Sequence, residues 1–132
     1  MKIEEFKNIT IAYIRRTGNY GFENKIFMEN FKEYLREKEL LDKSSVILGI
    51  ALDNPAMTDK NKLRYDVGLI VNGTPDIALD IRKIPDGIYA VFELPHTEQD
   101  ITAFWSNIQK LVGSLSVDET KPVIERYPAD KV

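Results

Sequence analysis

Six aromatic and two acidic residues are the side chains whose types and positions could do chemistry in this chain. Tyr13, Tyr20, Tyr65, Tyr89, Trp105 and Tyr127 fall near the ends or middles of apolar stretches, and Glu93 and Glu125 fall inside such stretches. A carboxylate within a strand-like run such as VIERY must sit at a solvated edge, be paired, or line a cavity, because burying it bare is costly. Two readings of Glu125 follow. It is a solvated strand residue paired with Arg126 or a lysine, or it is a buried acid on the floor of an aromatic pocket. The second arrangement would draw in a flat or cationic ligand by cation–π attraction and charge. The aromatic residues carry the same duality: Trp105 lies among Ile101, Ile108 and Val112 and would serve equally as core, and Tyr65 and Tyr89 as ordinary strand residues.

Other chemistries have little to draw on. With no cysteine there is no thiolate metal site, disulfide or cysteine nucleophile. The only histidine, His96, follows Pro95 and reads as a surface residue. No GxxxxGK[ST], GxGxxG or HExxH pattern occurs. Asp53, Asp59, Asp66, Asp76 and Asp80 are scattered without metal-loop spacing, so neither a metal nor a cofactor is expected. The 18 basic and 21 acidic residues give a net charge of −3. A phosphate-backbone binder would show a basic surplus, so direct nucleic-acid binding is not expected. The N-terminus has acidic residues and no apolar core of a signal peptide, and no apolar run approaches the ~20 residues that span a bilayer. A reducing, cytoplasmic location without membrane attachment fits these features.

The elements that must position these residues follow from periodicity. NITIAYIRR (8–16) puts Ile9, Ile11 and Tyr13 on one face and Ala12 and Ile14 on the other, a strand apolar on both sides. After a turn at Gly18 and Gly21, a helix is expected from about Asn24 to Leu41, with Phe27, Phe31, Leu35 and Tyr34 as its apolar stripe. The charged run KEYLREKE reads as its solvated face. SVILGIAL is a near-continuous apolar strand ended by Asn54-Pro55. LRYDVGLIV alternates cleanly and predicts a strand paired with it, with Leu63, Tyr65, Val67, Leu69 and Val71 on one face. Asn72-Gly73-Thr74-Pro75 reads as a seam. IALDIRKI and IYAVFEL are strands either side of a turn at Pro85-Asp86-Gly87. Thr97 and Asp100 form a capping box opening a helix whose apolar face is Ile101, Phe104, Trp105, Ile108, Leu111 and Val112, stopped at Gly113. KPVIERYPAD alternates as a last strand.

The two halves echo each other. IAYIRRTGNYG precedes a helix in the first half as LDIRKIPDGIYAVF does in the second: an apolar strand with a basic pair, a glycine-marked turn, a tyrosine, then an amphipathic helix. The expected fold is α+β, a single domain over 1–132 made of pseudo-symmetric halves of about 1–74 and 75–132. Its antiparallel sheet carries two helices on one side and a ligand groove between the halves.

The ordered set IAYIRRTGNYG, LRYDVGLIV, IRKIPDGIYAVFE, ITAFWSNI and PVIERYPAD resembles the GyrI-like small-molecule-binding domain. This domain is also the effector-binding half of AraC- and MerR-type transcription regulators of the Rob/BmrR type. The resemblance covers about residues 8–128. It implies two βαββ units in the SHS2 arrangement, with a groove between them holding a central glutamate that falls here on Glu125. Aromatic walls fall on Trp105, Tyr89 and Tyr65, with Tyr13 and Tyr20 as further candidates. Two segments depart from the family. Pro95-His96-Thr97 stands where it usually has a glycine, and Leu111-Val112-Gly113-Ser114 where a Trp-Leu-Pro-like segment usually ends the second helix. No helix-turn-helix precedes the domain, so a stand-alone sensor module is expected.

Three functions are compatible with the resemblance. The first is a binding protein for a small aromatic or cationic compound, acting in sensing, sequestration or toxin resistance. The second is a hydrolase of cyclopropane-bearing genotoxins with Glu125 as general base toward water. The third is a gyrase-inhibitor-like interaction module whose partner is a protein such as a gyrase or a regulator. The resemblance favours binding over catalysis.

Overall fold

The computed structural model of the chain describes residues 1–72, 77–93, 97–113, 115 and 122–128, without the side chains of Glu98, Gln109, Leu111 and Val112. His96, Pro95, most of the seam at 72–75 and the two tail segments around 116–121 and 129–132 lie outside the described residues. The fold is α+β, with two α-helices and antiparallel sheets of five and two strands among the described residues.

The first unit is β2 (Thr10–Thr17), α1 (Phe22–Glu37), β3 (Val46–Ala51) and β4 (Arg64–Val71), a βαββ arrangement. β4 lies between β2 and β3 in antiparallel ladders, with Ile14 opposite Val67 and Ile47 opposite Leu69. Because side chains alternate along a strand, one sheet face collects Tyr65, Val67, Leu69 and Ile47. Met28, Phe31 and Leu35 of α1 pack against that face, with Phe27 and Tyr34 half-buried beside them. The opposite face buries Ile11, Leu48, Ile50 and Ile84. β2 and β3 are thus apolar on both sides, as the sequence pattern of the first strand requires.

α1 begins two residues earlier than expected and ends four residues earlier. Its end is a Schellman motif. Glu39 adopts a left-handed conformation (φ 55°), the Leu40 N–H donates to the Leu35 carbonyl at 2.9 Å, and the Glu39 N–H donates to the Arg36 carbonyl at 3.1 Å. Leu40 and Leu41 then continue inward onto the α1 core instead of extending the helix. Lys32 departs from the expected solvated face: it is only 3% exposed.

The turn expected at Pro85-Asp86-Gly87 is not a hairpin. β5 (Asp80–Lys83) and β6 (Gly87–Val91) pair with β2 and with β1 (Lys2–Phe6), not with each other. The register runs unchanged across the break: Phe6 faces Gly87, the Ile84 N–H donates to the Ile9 carbonyl at 2.8 Å, and Thr10 faces Lys83. Residues 2–13 and 80–91 therefore form one bent antiparallel ribbon. Its bend falls where Pro85 has no N–H to give and where Asn8 takes a left-handed φ of 56°. Asp86 Oδ1 accepts from the Asn8 N–H at 3.0 Å, and Lys83 Nζ donates to Asn8 Oδ1 at 3.1 Å, so side chains hold the corner together.

The second unit is completed from the chain's start. β6 leads toward α2 (Glu98–Val112), which is followed by β7 (Val123–Pro128) on the free edge of β3. The strand entering α1 pairs with β4, and the strand before α2 pairs with β1. Thr97 caps α2 as expected, its Oγ1 accepting from the Asp100 N–H at 3.1 Å, while Asp100 Oδ2 accepts from the Thr97 hydroxyl at 2.6 Å and not from the backbone N–H of a capping box.

Candidate functional site

The site is assembled by the registers of β4, β3 and β7. Gly49 faces Glu125 across the β3–β7 ladder and Val67 across the β3–β4 ladder, while Tyr65 faces Ala51. All lie on the sheet face that carries α1. From its place one pair along, Tyr65 leans diagonally over Gly49 toward Glu125. A Cβ at position 49 would stand 2.4 Å from the Tyr65 hydroxyl and 3.1 Å from Met28 Cε, so only glycine leaves the path open. The Tyr65 hydroxyl donates to Glu125 Oε1 over 3.4 Å, and the Tyr127 hydroxyl donates to Glu125 Oε2 at 2.9 Å. Each carboxylate oxygen thus accepts from a different phenol, one from β4 and one two residues along its own strand.

The surroundings are apolar and aromatic. Tyr65 is 4% exposed, and Tyr20 meets it edge-on with ring centroids 6.4 Å apart. Burial first, and the adjacent Glu125 charge second, push the Tyr65 and Tyr127 phenols above the usual tyrosine range, so both are donors at neutral pH. Among the described residues no lysine or arginine forms a salt bridge with Glu125. Arg126, the neighbour in sequence, points to the other face, where its guanidinium meets Glu4 at 2.7 Å and lies over the Phe6 ring. The strand period of two is what separates Glu125 from that cation. What remains is a half-buried carboxylate held by two neutral phenols, suited to a cationic or hydrogen-donating ligand.

Sequence reasoning placed Glu125, Tyr65 and Tyr20 in one site, and the structure brings these three together. Tyr20 contributes its ring edge only, since its hydroxyl donates to the Arg64 carbonyl at 2.6 Å and accepts from the Asp53 N–H at 3.2 Å. Tyr13 is not brought there. It lies on the opposite face, where Arg82 and Arg15 stand 5.1 and 5.7 Å from its ring centroid. Tyr89 stacks on Phe6 with centroids 4.4 Å apart, and its buried hydroxyl has no partner among the described residues. Trp105 is 43% exposed and packs edge-on against Phe104, which in turn meets Phe92. Glu93 lies beyond the end of β6 and is exposed, outside the apolar strand expected to hold it.

Gly49, Met28, Lys32 and the role of Tyr127 were missed. Two signals pointed to Gly49 and Tyr127: a glycine inside an otherwise apolar strand, and the two-residue spacing of Glu125 and Tyr127, which puts both on one face.

The opposite face carries a separate ion network. Asp66 is 0% exposed and receives both guanidinium groups, Arg15 at 2.7 and 3.0 Å and Arg82 at 2.8 and 3.2 Å. It ties β2, β4 and β5 together. A cavity of about 310 Å³ lined by Leu40, Asp42, Ser45, Leu69 and Val71 opens at the far ends of β3 and β4, and neither Glu125 nor its phenols line it. Among the described residues no group of three or more acidic or histidine side chains is placed to hold a metal ion, and no helix is long and apolar enough to cross a membrane.

Comparison with known families matches residues 1–132 to the GyrI-like small molecule binding domain. The chain belongs to the GyrI-like family. It is also 39% identical over 134 residues to YosT, an SPbeta prophage-derived protein of Bacillus subtilis (strain 168) whose name proposes a transcriptional regulator; the match covers 98% of this chain and 89% of YosT. A small molecule is therefore the ligand this GyrI-like domain is built to take, and the glutamate expected at its centre is the residue the two phenols converge on.

Proposed function

We propose that the protein binds a small amphipathic or cationic aromatic compound, acting in sensing, sequestration or resistance. The observation that carries this reading is the Glu125 carboxylate: half-buried on an apolar face, hydrogen-bonded by Tyr65 and Tyr127, and without a salt bridge among the described residues. Neutral donors fix the carboxylate's position yet leave its charge for the ligand, and a carboxylate offers about four acceptor positions, of which two are used. The relationship to YosT supports a regulatory setting for that binding.

Isothermal titration with tetraphenylphosphonium, a lipophilic cation, tests it. Glu125→Gln keeps the shape and removes the charge, and is expected to weaken binding tenfold or more, about 1.4 kcal/mol. Affinity equal in both proteins would rule out Glu125 as the cation's partner. A hydrolytic use of the same carboxylate is favoured second, by the tyrosine pair that fixes it for proton transfer. Turnover of a cyclopropane-bearing electrophile, lost in Glu125→Gln, would establish it.

A further inference from the structure

The buried lysine of α1 stands where a cationic ligand would have to go. The Lys32 side chain is 4% exposed, and its ammonium lies 4.7 Å from the centroid of the Tyr127 ring, whose hydroxyl donates to Glu125 Oε2. Among the described residues its hydrogen-bonding acceptor is Glu29 Oε1 at a long 3.4 Å, on a side chain that is 55% exposed. An ammonium has three donors and is strongly hydrated in water, so one long contact to a half-solvated carboxylate does not account for its position. The ring face supplies the rest. A phenol donating to a carboxylate is polarised, which enriches its π-face and strengthens its hold on a cation above it. Glu125, Tyr127 and Lys32 therefore form an anion–phenol–cation series reaching from β7 to α1.

We infer that Lys32 is a built-in counter-cation of the Glu125 site, and that a cationic ligand binds by displacing it from the Tyr127 ring. This rests on the reading of Glu125 as the ligand's partner. The flexible four-carbon stem lets the ammonium swing toward Glu29 and water while the ligand takes the ring face. Lys32 is then a specificity-determining residue. It lowers the affinity for weak cations and admits those whose aromatic surface compensates for the displacement.

Titration of wild type, Lys32→Met, Lys32→Arg, Glu125→Gln and the Lys32→Met/Glu125→Gln double variant with tetraphenylphosphonium tests this, with triphenylphosphine oxide as the neutral probe. Lys32→Met is expected to bind the cation about tenfold tighter with little change toward the neutral probe, and the gain should shrink when Glu125 is also replaced. Lys32→Arg should stay near wild type. Circular dichroism and urea midpoints establish that each variant is folded; replacing a buried charge by an apolar chain of similar length should not destabilise. In the 1H–13C spectrum the Lys32 ε-methylene, assigned by its loss in Lys32→Met, should be shifted upfield by the ring and return to the exposed-lysine position on saturation with the cation. Wild-type binding that Glu125→Gln weakens but Lys32→Met leaves unchanged overturns displacement alone. Failure of every variant, Lys32→Met included, to bind the cation overturns the reading of Glu125 and displacement with it.

Discussion

Replacing Gly49 by alanine adds one methyl group at the crossing point of the candidate site. That carbon would stand 2.4 Å from the Tyr65 hydroxyl, 3.1 Å from Met28 Cε and 3.3 Å from Tyr65 Cζ, against ordinary contact beginning at 3.4 Å. The hydroxyl must therefore retreat by roughly 1 Å, and the Tyr65 ring is wedged between Tyr20 and the α1 core. Overpacking of this kind costs about 1–3 kcal/mol. Loss of the long hydroxyl contact to Glu125 adds up to about 1 kcal/mol, and the reduced freedom of the unfolded chain returns about 0.4–1 kcal/mol. The net expectation is a destabilisation of about 2 kcal/mol. The clash is chiefly with one oxygen, so Tyr65→Phe should relieve most of it. Gly49→Ala in the Tyr65→Phe background is expected to cost less than about 0.5 kcal/mol, a coupling of roughly 1.5 kcal/mol in the double-mutant cycle. Urea unfolding of the four proteins, with unchanged m-values, measures it. Equal cost of Gly49→Ala in both backgrounds, or a cost under about 0.5 kcal/mol in the wild type, would refute the argument that the glycine exists to let the Tyr65 hydroxyl pass.

Two further outcomes follow from the ionisable groups. Asp66→Asn leaves two guanidinium groups around an uncharged amide at a fully buried position, and is expected to lower stability by about 3 kcal/mol in urea titration. Raised phenol values in the folded state mean stability that is complete below the unfolded value near 10.0 and declines as pH climbs past it toward the folded values. Unfolding free energy should therefore fall steadily above about pH 10, and less steeply in a Tyr65→Phe/Tyr127→Phe variant. Ultraviolet titration should show Tyr65 and Tyr127 ionising only as the protein unfolds.

Much of the fold was legible because it rests on local periodicity. LRYDVGLIV alternates because Tyr65, Val67 and Leu69 meet α1 while Asp66 and Ile70 stand on the other face, and its partner was the preceding strand, as adjacency in sequence favours. Thr97 and Asp100 announced the start of α2 through chemistry confined to four residues. The segment around Pro85 was misread because a proline–aspartate–glycine turn looks the same whether its flanking strands pair with each other or with a distant partner. The deciding partner, residues 2–13, lies far away in sequence, and Lys2–Phe6 carries too few apolar residues to declare itself a strand.

The candidate site divides the same way. Glu125 was singled out by its own anomaly, a carboxylate in an apolar strand, and Tyr65 by its place on the buried face of the next-clearest strand. Lys32 was hidden because its neighbours in KEYLREKE are solvated, and only the packing of α1 over Tyr127 separates it from them.

The sequence by itself determined which residues could form a buried acid with aromatic walls, because residue type and strand or helix period are properties of a few neighbouring positions. Only the tertiary structure decided which of them meet. The β4–β3–β7 registers carry Tyr65 across Gly49 to Glu125, strand alternation sends Arg126 and Tyr13 to the opposite face, and α1 lays an ammonium over the Tyr127 ring. Those meetings depend on contacts between residues far apart in sequence, such as Lys32 and Tyr127, whose geometry no local pattern encodes.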